Sequence, residues 1–220
     1  MCCLMSVAAL AQFDGVGKGD IISINGTKAI VFSVDDYGHG TAMTIKALRG
    51  KKNLWCLNPK LLKNLEPLTS ESGKVNTAAV LKYIDDNRIS ISDFPVFEWC
   101  RNLGEGWYIP SFQDMEVFVN YYLGNDQDFD WDSEEEFDVD AESVTPKQVN
   151  EKMIDAGGVP FMGNALPGAV TAVGVVTSTR TETGDVYIYQ FNSQKNSFRF
   201  KAVSPLKMDT FALGRAFYDF

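Results

Sequence analysis

Hydrophobic and polar positions alternate in the N-terminal part of the chain, over residues 19–47. The pair Asn25-Gly26 separates the first alternating run from the second, which covers residues 29–34. Asn-Gly between two apolar runs is the strongest short signal for a β-hairpin, because both residues accept the positive φ angles of a type I′ turn. A second turn, at residues 35–40, precedes a third run at residues 41–45. The pattern therefore predicts a three-stranded antiparallel meander.

Apolar residues recur at the three- and four-residue spacing of helices in the middle of the chain. We expect Asn76 to cap a first helix that ends near residues 86–87. A second helix is expected to begin near Asp93, next to Pro95, and to end near Leu103. The inward-facing positions are Val80, Leu81 and Ile84 in the first helix, and Val96, Phe97, Cys100 and Leu103 in the second.

The stretch at residues 99–111 ends this second helix and begins a third. Gly104 is placed to take the left-handed conformation after the helix, and Gly106 gives a second position without a Cβ. Ser111 precedes Asp114 by three residues, which is the spacing of a capping box. A third helix therefore begins after Ser111, and we assign its apolar stripe to the core. The stripe comprises Phe112, Met115, Phe118, Val119 and Tyr122.

The segments on either side of these helices are less regular. Residues 46–73 interleave basic and apolar positions with prolines, so we expect mostly loop. A short helix capped by Thr145 is predicted over residues 146–156, and Gly157-Gly158 would end it. Residues 159–168 suit an irregular surface loop. Later alternation predicts strands at residues 169–179, 185–191, 197–203 and 211–217, with a hairpin connection at 192–196.

Strands, then helices, then strands again, without βαβ alternation, indicate an α+β fold with an antiparallel sheet. The first and last strands could pair. A chain of 220 residues with 45% hydrophobic residues can bury one substantial core, so we expect a single domain. No apolar run approaches the roughly 20 residues needed to span a bilayer. The net charge of −9 argues against nucleic acid as a partner, because phosphate binding requires a cationic surface.

The first residues, 1–11, form a short apolar run that ends in Ala9-Leu10-Ala11, a pattern typical of signal-peptide cleavage sites. The run lacks the positively charged n-region of such peptides, and a buried first strand or helix is the alternative. We expect a truncated signal peptide at residues 1–11 and a mature domain at residues 12–220. The expected location is then secreted, periplasmic or at the cell surface.

The composition changes sharply after Gly124, because residues 125–142 are rich in acid and contain no basic residue. Carboxylates at alternate positions resemble the start of a calcium loop, in which every second residue supplies an oxygen ligand. The pattern lacks a glycine at the sixth position, and Phe137 stands where the bidentate glutamate would be. The acidic segment is therefore interpreted either as a solvated loop or as a weak calcium site. The carboxylates concerned are Asp126, Asp128, Asp130 and Asp132.

Two aromatic residues, Phe129 and Trp131, lie between these carboxylates. Exposed aromatic side chains flanked by acids suit sugar stacking or the hot spot of a protein interface. Both residues are therefore candidate ligand contacts. The alternative is that they pack against the body of the protein and hold the loop in place.

The chain offers few residues for catalysis. His39 is the only histidine and lies between two glycines, where a turn residue is favoured over a catalytic or metal-binding one. No Gly-x-Ser-x-Gly motif is present. Once residues 1–11 are removed, Cys56 and Cys100 are the remaining cysteines, and they could form a disulfide or stay as buried thiols.

The central motif resembles a known family. Residues 98–111, followed by a helix, are similar to the "WC, L, G, GW, LP, S/T" signature of secreted bacterial C-type-lectin-like domains. Weaker matches follow in the same order at Thr177-Ser178-Thr179 and at Gly214-Arg215-Ala216-Phe217. The opening, residues 19–34, is similar to the "GD…G…GIVF.V" start of many such proteins. The resemblance covers most of the chain.

This resemblance implies a C-type-lectin-like fold, in which the first and last strands pair and two or three helices flank small antiparallel sheets. It also implies that a long loop region, here residues 124–168, carries the ligand contacts. Calcium-dependent sugar binders of this family use Glu-Pro-Asn or Gln-Pro-Asp and then Trp-Asn-Asp, and none of these occurs here. Val175 or Val176 replaces the tryptophan before Ser-Ser-Thr. Sugar binding through calcium is therefore not implied.

We therefore expect a non-catalytic secreted or cell-surface module that binds a surface glycan or a protein through residues 124–168. A structural subunit of a cell-surface assembly is the alternative. Formylglycine-generating oxidases share this broad fold and rely on a pair of reactive cysteines. Because Cys56 precedes the helical region and Cys100 lies in the expected core, that activity is a remote alternative.

Overall fold

A computed structural model describes residues 13–49, 55–69, 71–124, 137–138, 144–161, 173–192, 197–203 and 212–220. Within these residues the fold is mixed α+β, with four α-helices and two small sheets, in agreement with the predicted fold class. The predicted signal peptide at residues 1–11 lies outside the described residues. Over the ranges given, no helix combines the length and hydrophobicity that a membrane crossing needs.

The elements follow one another as strands, then helices, then strands. The α-helices are α1 Gly73–Asp86, α2 Pro95–Asn102, α3 Phe112–Leu123 and α4 Val144–Asp155. The strands are β1 Ile21–Ile24, β2 Thr27–Val34, β3 Gly40–Thr44, β4 Leu48–Arg49, β5 Trp107–Tyr108, β6 Phe137–Asp138, β7 Val173–Arg180, β8 Val186–Asn192, β9 Ser197–Val203, β10 Ala212–Gly214 and β11 Phe217–Asp219.

The first sheet has the strand order β1-β2-β3-β11-β5, and its neighbouring strands are antiparallel. The predicted meander forms its first three strands, and Asn25 (φ 50°) and Gly26 (φ 81°) make the tight turn between β1 and β2. The prediction that the first and last strands pair is wrong, because β11 pairs with β3. Reciprocal backbone hydrogen bonds of 2.9 Å between Gly40 and Phe220 fix the chain end on β3, and β1 stays at the sheet edge.

The second sheet has the order β4-β10-β7-β8-β9-β6 and is antiparallel except for the parallel pair β10–β7. It contains the predicted hairpin pair β8–β9. The single strand predicted at residues 211–217 is wrong. The chain leaves this sheet after β10, at Arg215-Ala216, and forms β11 in the first sheet. The break falls where the fully buried Arg215 side chain binds backbone carbonyls at the end of β3.

The helix ends follow capping rules, with two corrections. Ser72, not Asn76, caps α1, because its side chain accepts a hydrogen bond from the amide three residues later. Asn76 is buried within the helix and donates to the backbone of the preceding loop. Thr145 lies within α4 rather than before it. The predicted capping box of α3 is confirmed, since Ser111 and Asp114 each bind the other's backbone amide.

The turn between α2 and α3 has the conformation that the sequence predicts. Gly104 (φ +114°) and Gly106 (φ +89°) both occupy the region that disfavours side chains, and Gly124 (φ +70°) ends α3. Between them, Trp107 is only 5% exposed and lies in β5, paired with β11. This turn therefore ties the helical part of the chain to its C-terminal strand.

Two hydrophobic clusters form the core. The first surrounds Trp55, Phe94 and Phe97 next to α1 and α2, and the second surrounds Phe118 of α3. Both clusters pack against β7, where Val176 belongs to the first and Val175 to the second. The positions predicted to face inward are buried at Val80, Ile84, Val96, Phe97, Cys100, Met115, Phe118, Val119 and Tyr122, and partly buried at Leu81, Leu103 and Phe112.

Candidate ligand-binding groove

The predicted ligand and calcium contacts in the acidic segment lie outside the described residues. These are Phe129 and Trp131, and Asp126, Asp128, Asp130 and Asp132. Across the ranges that the structure does describe, no three His, Cys, Asp or Glu side chains gather in a way that could hold a metal ion. Of the region 124–168, the described parts are Gly124, β6 and residues 144–161.

The candidate catalytic side chains lie on an exposed turn and in the core. His39 lies on an exposed turn, as predicted, with its Nδ1 3.2 Å from Oδ2 of Asp35. Cys56 and Cys100 are buried free thiols, so of the two alternatives the structure contains the unbonded one. Desolvation by burial raises the pKa of Cys56 to about 11 and that of Cys100 to about 12. Both thiols therefore stay protonated at neutral pH, which is unsuited to nucleophilic or redox chemistry.

A groove of about 400 Å³ lies where the β1–β2 hairpin, the end of β3, the last turn of α2 and the end of α4 meet. We call it the Trp99 groove. It combines an aromatic ring, two lysines and two glycines that leave the backbone accessible. Its lining residues are Gly26, Thr27, Lys28, Thr44, Lys46, Trp99, Leu103, Ala156 and Gly157.

The last turn of α2 supplies the apolar wall of the Trp99 groove. Trp99 and Leu103 are four residues apart, so they lie on the same face of the helical turn. Both are half-buried and pack on their inner side against the first core cluster. The hairpin tip approaches the same turn, because a Cβ on Gly104 would lie 3.6 Å from the Asn25 side-chain nitrogen. The Asn25-Gly26 turn thus places Gly26 beside the aromatic wall.

The end of α4 supplies a second wall. Gly157 (φ +84°) ends the helix, and the Val159 amide donates to the Ile45 carbonyl at 2.9 Å, which joins this wall to the end of β3. Lys28 joins β2 to this wall, since its Nζ donates to the Ala156 carbonyl at 3.0 Å. A cation at the C-terminal end of a helix is favoured by the helix dipole.

Arg215 joins the end of β3 to the loop after α4 from inside the protein. Its side chain is fully buried and donates to four backbone carbonyls, two at each of these places. Desolvation lowers the pKa of its guanidinium to about 9, with a further contribution from Arg49, so the group stays charged at neutral pH. Arg215 is therefore a positioning residue for the groove. The acceptors are the carbonyls of Thr44 and Ile45 at 2.9 Å, Val159 at 3.1 Å and Pro160 at 3.0 Å.

The sequence gives little signal for this groove. Lys28, Lys46 and Trp99 lie in separate segments, and no motif links them. Trp99 belongs to residues 98–111, the stretch that carries the family resemblance, and there it is predicted to anchor the fold. Arg215 belongs to another motif of that resemblance, but nothing in the sequence predicts its four carbonyl partners. Only the folded arrangement brings these residues to one place.

The residues that carry the C-type-lectin-like resemblance are buried or connect elements of the fold. Thr177, Ser178 and Thr179 are buried in β7, where the Ser178 amide donates to the Pro110 carbonyl at 2.7 Å. Residues 98–111 connect α2, β5 and α3, and Arg215 lies at the crossing between sheets. The family assignment stays a prediction. Comparisons of the chain with protein-family models, with curated proteins and with solved structures gave no match.

Proposed function

We propose that this protein is a non-catalytic binding module of the C-type-lectin-like type, secreted, periplasmic or displayed at the cell surface. Its ligand is a surface glycan or a protein, contacted by residues 124–168. The observation that carries the proposal is the Trp99 groove, because Ala156 and Gly157 of that region line an open cleft together with a half-buried tryptophan. Small-molecule sites are commonly concave, with apolar walls and a few polar groups.

The chemistry of the described side chains supports binding rather than turnover. The two thiols that an oxidase would need are buried, with raised pKa values. They also belong to different elements, Cys56 to the loop before α1 and Cys100 to α2. In the groove, the polar groups are lysines and threonines, which can bind and orient a ligand but do not pair a nucleophile with a base.

Deletion of residues 126–140 tests the proposal. The intact chain and the deletion variant are applied to a glycan array and to pull-downs from a cell-surface extract. We expect the intact chain to give signals that the deletion variant loses, because the deletion removes the proposed contacts Phe129 and Trp131. A control variant that carries Asn at positions 126, 128, 130 and 132 keeps the length and the aromatic residues. Near-ultraviolet circular dichroism checks that each variant keeps its packed core.

A different result would point to the alternative function. If both signals persist in the deletion variant, residues 126–140 supply no ligand contact. Partner contacts that protect the amides of the edge strand β1 from hydrogen exchange would then indicate a structural subunit, because an edge strand presents unpaired backbone groups.

A further inference from the structure

The Trp99 groove is a positive site on an acidic protein. The described residues that line it include Lys28 and Lys46 and no Asp or Glu, whereas the whole chain has a net charge of −9. Both lysines are exposed. Lys28 uses one donor on the Ala156 carbonyl, and an ammonium group has three donors. The groove therefore offers an anion several charged hydrogen-bond donors at one place.

Beside these charges, Trp99 offers a flat apolar surface. The indole packs on its inner side against the core cluster and is half-buried, so part of it faces the groove. An indole combines a large apolar face with a single N–H donor. The C–H face of a pyranose ring matches such a surface, and its hydroxyl groups match the threonine and backbone groups nearby.

The glycines of the groove leave room for a ligand to approach the backbone. Gly26 (φ +81°) of the hairpin and Gly157 (φ +84°) at the end of α4 both line the groove, and no atom outside their chain neighbours lies within 4 Å of the position of a Cβ on either. The volume of about 400 Å³ falls in the range of small-molecule sites, roughly 300–1,000 Å³. It suits a compact unit such as a single sugar ring with its substituents rather than an extended peptide.

We infer that the Trp99 groove binds a carboxylate-bearing sugar unit of an acidic glycan, of the uronic acid or sialic acid class. Lys28 and Lys46 bind the carboxylate, and Trp99 stacks on the ring. This inference rests on the proposed binding function and names the chemical class of its ligand. Binding of the carboxylate then needs no calcium, since the two lysines supply the positive charge.

Titration with matched oligosaccharides tests the inference. The full chain is titrated with trigalacturonic acid and 3′-sialyllactose, and in parallel with the trimethyl ester of trigalacturonic acid and with lactose, which lack the charge. Binding is followed by calorimetry and by tryptophan fluorescence. We expect at least one acidic sugar to bind, and its neutral counterpart to bind about tenfold or more weakly, since charge-assisted hydrogen bonds are the strong ones.

Lysine variants identify the groove as the site. Lys46→Gln is expected to weaken binding of the acidic sugar about five- to tenfold. Lys63→Gln serves as the matched control, because Lys63 is exposed and does not line the groove, and it should leave the affinity unchanged. Lys28→Gln should weaken binding too, but Lys46 gives the cleaner readout because Lys28 also holds the end of α4.

The outcomes separate this inference from the proposed function. Equal affinity for charged and neutral sugars, no binding of either acid up to about 10 mM, an unchanged affinity in Lys46→Gln, or tighter binding of triglutamate would each overturn the inference. If the array signal is lost on deletion of residues 126–140 while Lys46→Gln binds normally, the proposed function stands and the inference fails. If lysine-dependent sugar binding survives that deletion, the inference stands and the contact region 124–168 is too broad.

Discussion

Arg215 carries a positive charge in the protein interior, where its partners within the described part are carbonyl oxygens rather than carboxylates. Burial of an unpaired charge is unfavourable by several kcal/mol, and hydrogen bonds to oriented dipoles must offset most of that. Four carbonyl acceptors do so here. One side chain thereby joins the end of β3 to the loop after α4. An apolar side chain could not join them in this way, because it has no hydrogen-bond donors.

Removal of the guanidinium should therefore destabilise the protein. We expect Arg215→Met to lower the free energy of unfolding by about 2–4 kcal/mol, because carbonyl groups lose their donors inside the protein. The stability of Arg215→Lys should fall between those of the wild-type protein and Arg215→Met, since an ammonium keeps the charge but cannot reach both the end of β3 and the loop after α4. Urea denaturation of the three proteins measures the difference.

A control separates this effect from a general loss of positive charge. Arg49 is exposed and is the neighbour whose charge helps to lower the pKa of Arg215. Arg49→Met should change the free energy of unfolding by no more than about 0.5 kcal/mol, as is usual for surface substitutions. If Arg215→Met is as mild as Arg49→Met, the hydrogen bonds of Arg215 do not stabilise the junction between the end of β3 and the loop after α4.

At the scale of elements, Asp114 joins the beginnings of two helices. Its Oδ2 accepts hydrogen bonds of 2.8 Å from the amides of Gly73, the first residue of α1, and of Ser111, the N-cap of α3. The approach is close, since a Cβ on Gly73 would overlap the backbone of Ile109 and Ser111. Two helix N-termini and two amides favour a carboxylate, whereas burial opposes it. Desolvation is the larger effect and raises the pKa of Asp114, with Asp219 adding to it.

The raised pKa of Asp114 makes stability depend on pH in a defined direction. The folded protein holds the proton more tightly than the unfolded chain, whose Asp pKa is about 3.9. The contribution of Asp114 is thus fully present below that pH and is lost as pH rises through the higher pKa of the folded state. Relative to Asp114→Asn, which keeps an acceptor oxygen, the wild-type protein should lose stability over this range.

Urea denaturation of both proteins between about pH 3 and pH 7 gives the difference in unfolding free energy at each pH. The expected difference shifts in favour of Asp114→Asn as pH rises and then becomes constant. If the wild-type protein instead gains stability relative to Asp114→Asn as pH rises, the hydrogen bonds from the two amides and the helix dipoles outweigh desolvation.

These elements also show how far the sequence alone leads. The capping box at Ser111, the helix end at Gly124 and the Asn25-Gly26 turn depend on neighbouring residues, and all three are predicted correctly. The sequence alone does not distinguish Ser72 from Asn76 as the cap of α1, because both residue types favour that position. The burial of Asn76 against β7 decides between them. Strand partners were harder still, since the pairing of β11 with β3 depends on contacts between distant segments.

The candidate site was less predictable than the fold for the same reason. The acidic segment is predicted as a candidate site because its carboxylates and aromatic residues are neighbours in the sequence. Lys28, Trp99 and Gly157 come from three separate parts of the chain. A groove assembled from a hairpin, a strand end and two helix ends leaves no periodic signal. Arg215 shows the limit most clearly: its residue type suggests a surface charge, and the structure buries it completely.

Across the whole molecule, two electrostatic effects oppose each other. The net charge of −9 repels an anionic ligand at long range, while Lys28 and Lys46 attract it at contact. Salt acts differently on the long-range repulsion and on the lysine contacts. The Debye length is about 30 Å at 0.01 M and about 8 Å at 0.15 M, so the interactions between distant charges are screened first. Rates of association report the long-range effect, and rates of dissociation report the contact.

We therefore expect salt to accelerate both steps when trigalacturonic acid binds. Raising the sodium chloride concentration from about 0.01 to 0.15 M should speed association, because it screens the repulsion by the acidic surface, and should speed dissociation, because it weakens the lysine contacts. Stopped-flow tryptophan fluorescence measures both rates. In Lys46→Gln the association rate should keep its salt dependence while the dissociation rate loses part of its own. If salt instead slows association, the lysines dominate the field that the ligand meets at a distance, and the acidic surface does not limit its approach.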